Sequence, residues 1–211
     1  ELLLYDLREK RRIMNEKATY FRKVAGTGGI PDGRNDVCKS FLDQTDAEWL
    51  FFIDTDMGFS PDTVDRLVDS ADEHKRPVMG GLCFVSKEVE LDGLGGFRVT
   101  PVPTLYRWAT LGEDIRGFEP WKDYPRNQVV PIDATGSACI LIHRSVLERL
   151  GPDPYEPLRN PSTGELIGED LSFCARASQA DIPIHVHIGV PTSHLKPVWM
   201  GEAQFAMWPQ S

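Results

Sequence analysis

Trp49-Leu50-Phe51-Phe52-Ile53-Asp54-Thr55-Asp56 joins a run of apolar residues directly to two carboxylates one residue apart. A run such as Trp49 to Ile53, bounded by polar residues, fits the central strand of an α/β sheet covered on both faces. Ligands of such sheets bind outside the carboxyl ends of the strands. Asp54 and Asp56 therefore stand where a ligand is expected, and an extended backbone turns both side chains the same way. Two hard oxygen donors beside a diphosphate suit Mg²⁺ or Mn²⁺. A plainer reading of the same residues is a strand that ends in an Asx turn.

On the C-terminal side of the pair, Ser60-Pro61-Asp62 is a good helix start, with the helix expected to run to about His74. Pro77 to Phe84 is the next strand. Strand, helix, strand predicts a parallel pair joined by a right-handed crossover. On the N-terminal side, Asp36 to Leu42 suits a helix, Tyr20 to Ala25 a short strand, and residues 2 to 17 an amphipathic helix. A domain that opens on a helix leaves its first strand out of the chain shown. Beyond Phe84 the alternation degrades until Pro131, with one strand at Pro103 to Trp108. Val129 to Asp133 and Ala138 to Ile142 are extended, Arg144 to Leu150 and Glu169 to Gln179 helical, and Ile184 to Ile188 a last strand. The stretches near 111–127 and 152–168, the second with four prolines, are expected to be mobile loops.

The 211 residues fit one domain, with residues 1–85 as a donor-binding half and 86–211 as an acceptor half. A net charge of −9, from 32 acidic and 23 basic residues, supplies no general basic field for nucleic acid or anionic lipid. No window has the length and hydropathy of a membrane span. Cys38, Cys83, Cys139 and Cys174 are widely spaced, without Cys-x-x-Cys pairs, which predicts reduced, buried thiols and a cytoplasmic protein.

Three further constellations accompany the carboxylate pair. Gly33-Arg34-Asn35 opens the helix before the central strand, where an Arg can face a phosphate and an exposed Arg is the plainer reading. Gly168-Glu169-Asp170 starts a helix, and either acid can serve as the general base that a hydroxyl acceptor requires, or simply complement the helix dipole. His194 follows the last strand and can add a nitrogen to an ion already held by carboxylates. His185 and His187, inside that strand, are structural.

The order of these motifs, together with Ala134-Thr135-Gly136-Ser137-Ala138 and Ser193-His194-Leu195, resembles the GT-A glycosyltransferases of the family 2 type over roughly residues 24 to 196. The resemblance implies a Rossmann-like, mostly parallel sheet flanked by helices. It implies that Asp54 and Asp56 bind a divalent cation and the donor's ribose or diphosphate, and that His194 completes the metal site. Arg34, Gly136, Ser137 and Lys196 match donor-binding positions, and Asp170 with Glu169 the base of inverting members. The implied partners are a nucleoside-diphosphate sugar and an acceptor hydroxyl. The strand that recognises the nucleobase in those enzymes is the one missing here.

Two other classes compete. A nucleotidyltransferase uses carboxylates and a cation on a similar sheet, and a non-catalytic nucleotide-sugar-binding module keeps the fold without turnover. The acceptor is open among a glycan, a protein, a small molecule and a modified DNA base. Trp108, Trp121, Tyr124, Tyr155, Trp199 and Trp208 can stack on a sugar or a base, or anchor loops.

Overall fold

The computed structural model describes residues 29–91, 96–110, 116–161 and 163–195. The expected helix over 2–17, the strand over 20–25, and Lys196, Trp199 and Trp208 lie outside them.

Helix α1 spans Ile30–Gln44 and starts earlier than Asp36, because Gly29 at φ 102° turns the chain and Pro31 fits the first turn. Its buried face carries Arg34, Cys38 and Phe41 at the spacing i, i+4, i+7. Strand β1 follows at Trp49–Ile53, then the short β2 at Met57–Gly58. Helix α2, Thr63–Ser70, ends before the expected His74. Beyond it the Asp72 carboxylate accepts the backbone N–H groups of His74 and Lys75, folding that segment into a turn instead.

The remaining elements are β3 at Val78–Leu82, β4 at Phe84–Leu91, β5 at Gly96–Pro103, β6 at Leu105–Thr110, β7 at Arg116–Pro120, β8 at Val129–Ile132, β9 at Ala134–Thr135 and β10 at Cys139–His143. Helices α3, Arg144–Leu150, and α4, Glu169–Gln179, precede β11 at Ile184–Pro191 and β12 at Ser193–His194.

The principal sheet has the order β1-β10-β3-β11-β8. Among the described strands only the β3/β11 pair is parallel; β10 runs antiparallel to both β1 and β3, and β8 runs antiparallel to β11. The sheet is thus mixed, which corrects the mostly parallel expectation. β1 and β3 do point the same way, but β10 is inserted between them. Among the described residues β1 is an edge strand, where the sequence suggested a central one. Hydrophobicity alone does not distinguish the two positions, since both need an apolar run.

Period-2 alternation divides the core between the faces of this sheet. Phe52, Val78, Ile140, Ile142, Ile184 and Val186 meet α1, α3 and α4 on one face. Met79, Cys139 and Leu141 meet Leu67 of α2 on the other. A hairpin not expected from the sequence is present: β4 pairs with β5 from Phe84 opposite Pro103 to Leu91 opposite Gly96. β7-β6-β9 form a second small sheet, so residues 116–120 of the expected loop are a strand. The proline-rich loop is tied down at several points: Lys39 pairs with Asp153 at 2.7 Å, Leu158 N–H donates to Ser172 Oγ at 2.9 Å, and Arg176 donates to the Pro154 carbonyl at 3.3 Å.

Candidate active site

Two clusters form beside the carboxyl end of β1. In the first, β2 and β12 make a short antiparallel ribbon that sets Met57 opposite His194 and Gly58 opposite Ser193. Gly58 permits this approach, since a Cβ there would stand 2.5 Å from Ser193 Oγ. The ribbon carries Asp56 to His194, with Nε2 2.9 Å from Oδ2. On the other side of the ring, Nδ1 lies 3.1 Å from the Phe84 carbonyl oxygen. A carbonyl only accepts, so it holds a proton on Nδ1 and leaves Nε2 as the ring atom that meets the Asp56 carboxylate.

That donor set fits a divalent cation. Cis ligands of an octahedral ion with bonds of about 2.1 Å stand about 3.0 Å apart, and a ligating His commonly spends its other N–H on a carbonyl. The pair lines an open groove of about 420 Å³ with Thr55, Met57, Gly58, Ser193 and Leu195. The His194 side chain is largely buried and that of Asp56 is not. Among the described residues no three His, Cys, Asp or Glu side chains converge on one point. Asp54 does not join the pair.

Asp54 belongs to the second cluster. The β1 backbone ends as Asp54 N–H donates to the Ala138 carbonyl and Met57 N–H to the Asp54 carbonyl, a turn that separates the two carboxylates. The alternation expected from a straight strand is thereby lost. Arg34 Nη2 lies 3.2 and 3.1 Å from the two Asp54 oxygens, and Nη1 donates to the Ser137 carbonyl at 3.3 Å. Arg34 Nε faces Asp170 Oδ1 at 3.8 Å, and neither of those atoms has a hydrogen-bond partner. Arg34 is the fifth residue of α1, on its buried face and only 7% exposed. The helix starts earlier than expected, so Arg34 does not stand at its N-terminus open to a phosphate, and its side chain turns inward onto two acids.

The electrostatics follow from this enclosure. Burial alone would lower the Arg34 guanidinium, but Tyr155, Asp170, Asp54 and Glu169 around it raise it above its ordinary value. Burial raises Asp54, against the opposing pull of Arg34 and with a further push from Asp170. Glu169 is raised by burial and by its neighbour Asp170. Carboxylates held up in this way are suited to take a proton.

Gly136 and Ser137 lie between β9 and β10. Ser137 is fully buried and presents its carbonyl to Arg34. A Cβ at Gly136 would make only ordinary contact with Thr104 at 3.5 Å. The aromatic candidates divide: Trp108 stacks on Phe118 with centroids 4.0 Å apart, and the Arg107 guanidinium lies 4.4 Å from the Trp121 ring centre. Tyr155 has no exposed surface and so serves as an anchor and not as a stacking platform for an acceptor. The four cysteines are buried and unpaired. No described helix is long and apolar enough to cross a membrane.

The architecture is similar to A197 from STIV, with a TM-score of 0.52 and 17% identity over 93% of this chain and 80% of that one. It is similar also to GalNAc-T7 in a crystal structure with UDP, GalNAc and Mn²⁺, with a TM-score of 0.52 and 14% identity. The fold is glycosyltransferase-like. That second match covers 91% of this chain but 35% of GalNAc-T7, and identities this low establish the fold alone. No protein family matches the sequence, and no curated protein is similar to it.

Proposed function

We propose that the chain is a metal-dependent glycosyltransferase that moves a sugar from a nucleoside diphosphate to an acceptor hydroxyl. The observation that carries this reading is the Asp56–His194 pair, two metal-compatible donors 2.9 Å apart at the rim of an open groove beside a second, acid-rich cluster. The glycosyltransferase-like fold supports it, and GalNAc-T7, which shares that fold, was crystallised with UDP, GalNAc and Mn²⁺.

Asp56 and His194 would hold a Mn²⁺ or Mg²⁺ ion, which when bound supplies positive charge opposite the departing diphosphate. Two donors among the described residues leave the ion's other positions to donor oxygens and water. Asp54, held by Arg34, faces the donor's ribose or diphosphate from the same turn. Gly136 and Lys196 are assigned to the donor side as well, and the buried Ser137 supports that side through its carbonyl's bond to Arg34. Asp170, with a side chain 29% exposed and its buried oxygen turned to Arg34 Nε at 3.8 Å, is the general base, with Glu169 beside it.

Asp170 takes the proton from the acceptor hydroxyl as its oxygen bonds to the anomeric carbon. The bond from that carbon to the diphosphate oxygen breaks, and the nucleoside diphosphate leaves with the electron pair. Attack from the face opposite the diphosphate inverts the anomeric configuration. Thermal-shift screening of nucleotide sugars with Mn²⁺ tests the proposal: a bound donor raises the melting temperature with its concentration, and slow release of nucleoside diphosphate marks turnover. No shift with any donor would reject it.

A further inference from the structure

Tyr155 lies in the proline-rich loop, yet it touches the neighbours of every charged group in the second cluster. Its ring stacks on Phe173 at 4.8 Å and 10°, and meets Phe52 edge-on at 5.8 Å and 84°. Phe52 is two residues ahead of Asp54, and Phe173 is three residues after Asp170 on the same face of α4. The Arg34 guanidinium carbon stands 5.6 Å from the Tyr155 ring centre and 5.3 Å from that of Phe52. The Tyr155 N–H donates to Asn35 Oδ1 at 2.9 Å, in a buried hydrogen bond that fixes the loop to the residue after Arg34.

One ring therefore packs together β1, α1 and α4, the elements that carry Asp54, Arg34 and Asp170. A guanidinium is planar and rotates on a long stem, so its direction is set by the surfaces that enclose it. Here those surfaces are Phe52 and Tyr155, and the fork they orient points at Asp54 through Nη2 and at Asp170 through Nε.

We infer that Tyr155 is a positioning residue for the proposed transfer: by holding Arg34 between Asp54 and Asp170, it sets where the base stands relative to the donor. The inference rests on the glycosyl-transfer reading for the reaction and on the geometry alone for the placement of Arg34. Reactive groups need to be held closely, and a misplacement of about 1 Å costs about 100-fold in rate. The ring provides this placement, so Phe can replace Tyr and an aliphatic side chain cannot.

The test compares Tyr155→Phe, Tyr155→Leu and Phe173→Leu, the last removing the stack behind the ring without touching Arg34, with Val146→Ala as a core substitution outside the cluster. Two readouts are taken: the Nε–Hε resonance of Arg34, by ¹⁵N NMR, and kcat with nucleotide affinity. In the parent and Tyr155→Phe the resonance should be sharp and displaced from that of a free arginine. In both Leu variants it should collapse towards the free position, while kcat falls by about tenfold or more with nucleotide affinity unchanged. An unmoved Arg34 resonance in both Leu variants overturns the inference without any activity measurement. So does a kcat loss that Val146→Ala reproduces at equal melting temperature. A parent that binds no nucleotide rejects the glycosyl-transfer reading, and with it the role in transfer; the resonance then still decides whether Tyr155 places Arg34.

Discussion

His194 Nε2 and Asp56 Oδ2 stand 2.9 Å apart although 138 residues separate them along the chain. The β2/β12 ribbon creates that contact, and the Phe84 carbonyl orients the ring for it. Asp54, only two residues from Asp56, is committed to Arg34 instead. The site therefore separates into a metal-compatible pair and an Arg-centred acid cluster, and substitutions in the two should have different consequences.

Asp170→Asn keeps the shape of the side chain and removes its ability to accept a proton. Transfer should fall by about 100-fold or more while donor affinity holds, since general-base catalysis contributes about that much. Glu169→Gln, measured in the same way, distinguishes the two acids. If Glu169→Gln abolishes transfer and Asp170→Asn does not, the base is Glu169.

Stability should decline as the pH falls through the histidine range. Burial, and next the nearby Arg76, hold His185 below its ordinary value; burial and then Arg66 do the same for His187. The native state thus binds fewer protons than the unfolded one, so the contribution is present above the unfolded value and lost as the pH drops through it towards the native values. Melting temperatures measured from about pH 7 down to about pH 5 should fall, and His185→Gln with His187→Gln should flatten the curve. An unchanged slope in the double variant contradicts the assignment.

Leu67 is fully buried where α2 covers the second face of the sheet, against Met79, Cys139 and Leu141. Leu67→Ala should cost about 2–5 kcal/mol, read by chemical denaturation. Val68 on the same helix is 43% exposed, and Val68→Ala should stay within about 0.5 kcal/mol.

Much of this was legible from the chain because local chemistry determined it. The run from Trp49 to Ile53 is a strand, Arg144 to Leu150 and Glu169 to Gln179 are helices at the expected bounds, and β11 begins at Ile184 as its apolar alternation predicts, though it runs on to Pro191 and a further short strand follows. Topology was less legible: the antiparallel insertion of β10 between β1 and β3 depends on pairings roughly 60 to 90 residues apart, for which no local periodicity exists. Asp56 and His194 lie 2.9 Å apart. What was hidden is the turn at Asp54, which redirects one carboxylate to Arg34, and the inward face of α1 that puts Arg34 there. Also unforeseen was Arg144, whose guanidinium donates to the carbonyls of Phe41 and Thr45 at 3.1 and 2.7 Å and so ties α3 to the C-terminal turn of α1.

A divalent cation held by Asp56 and His194, as proposed, would bind the diphosphate of a sugar nucleotide. Titration calorimetry of uridine or guanosine diphosphate, with and without Mn²⁺, into the parent, Asp56→Ala and His194→Ala tests it most directly. Binding in the parent should require Mn²⁺ and should be lost in both variants with the fold intact. Equal nucleotide affinity in the parent and Asp56→Ala would contradict it.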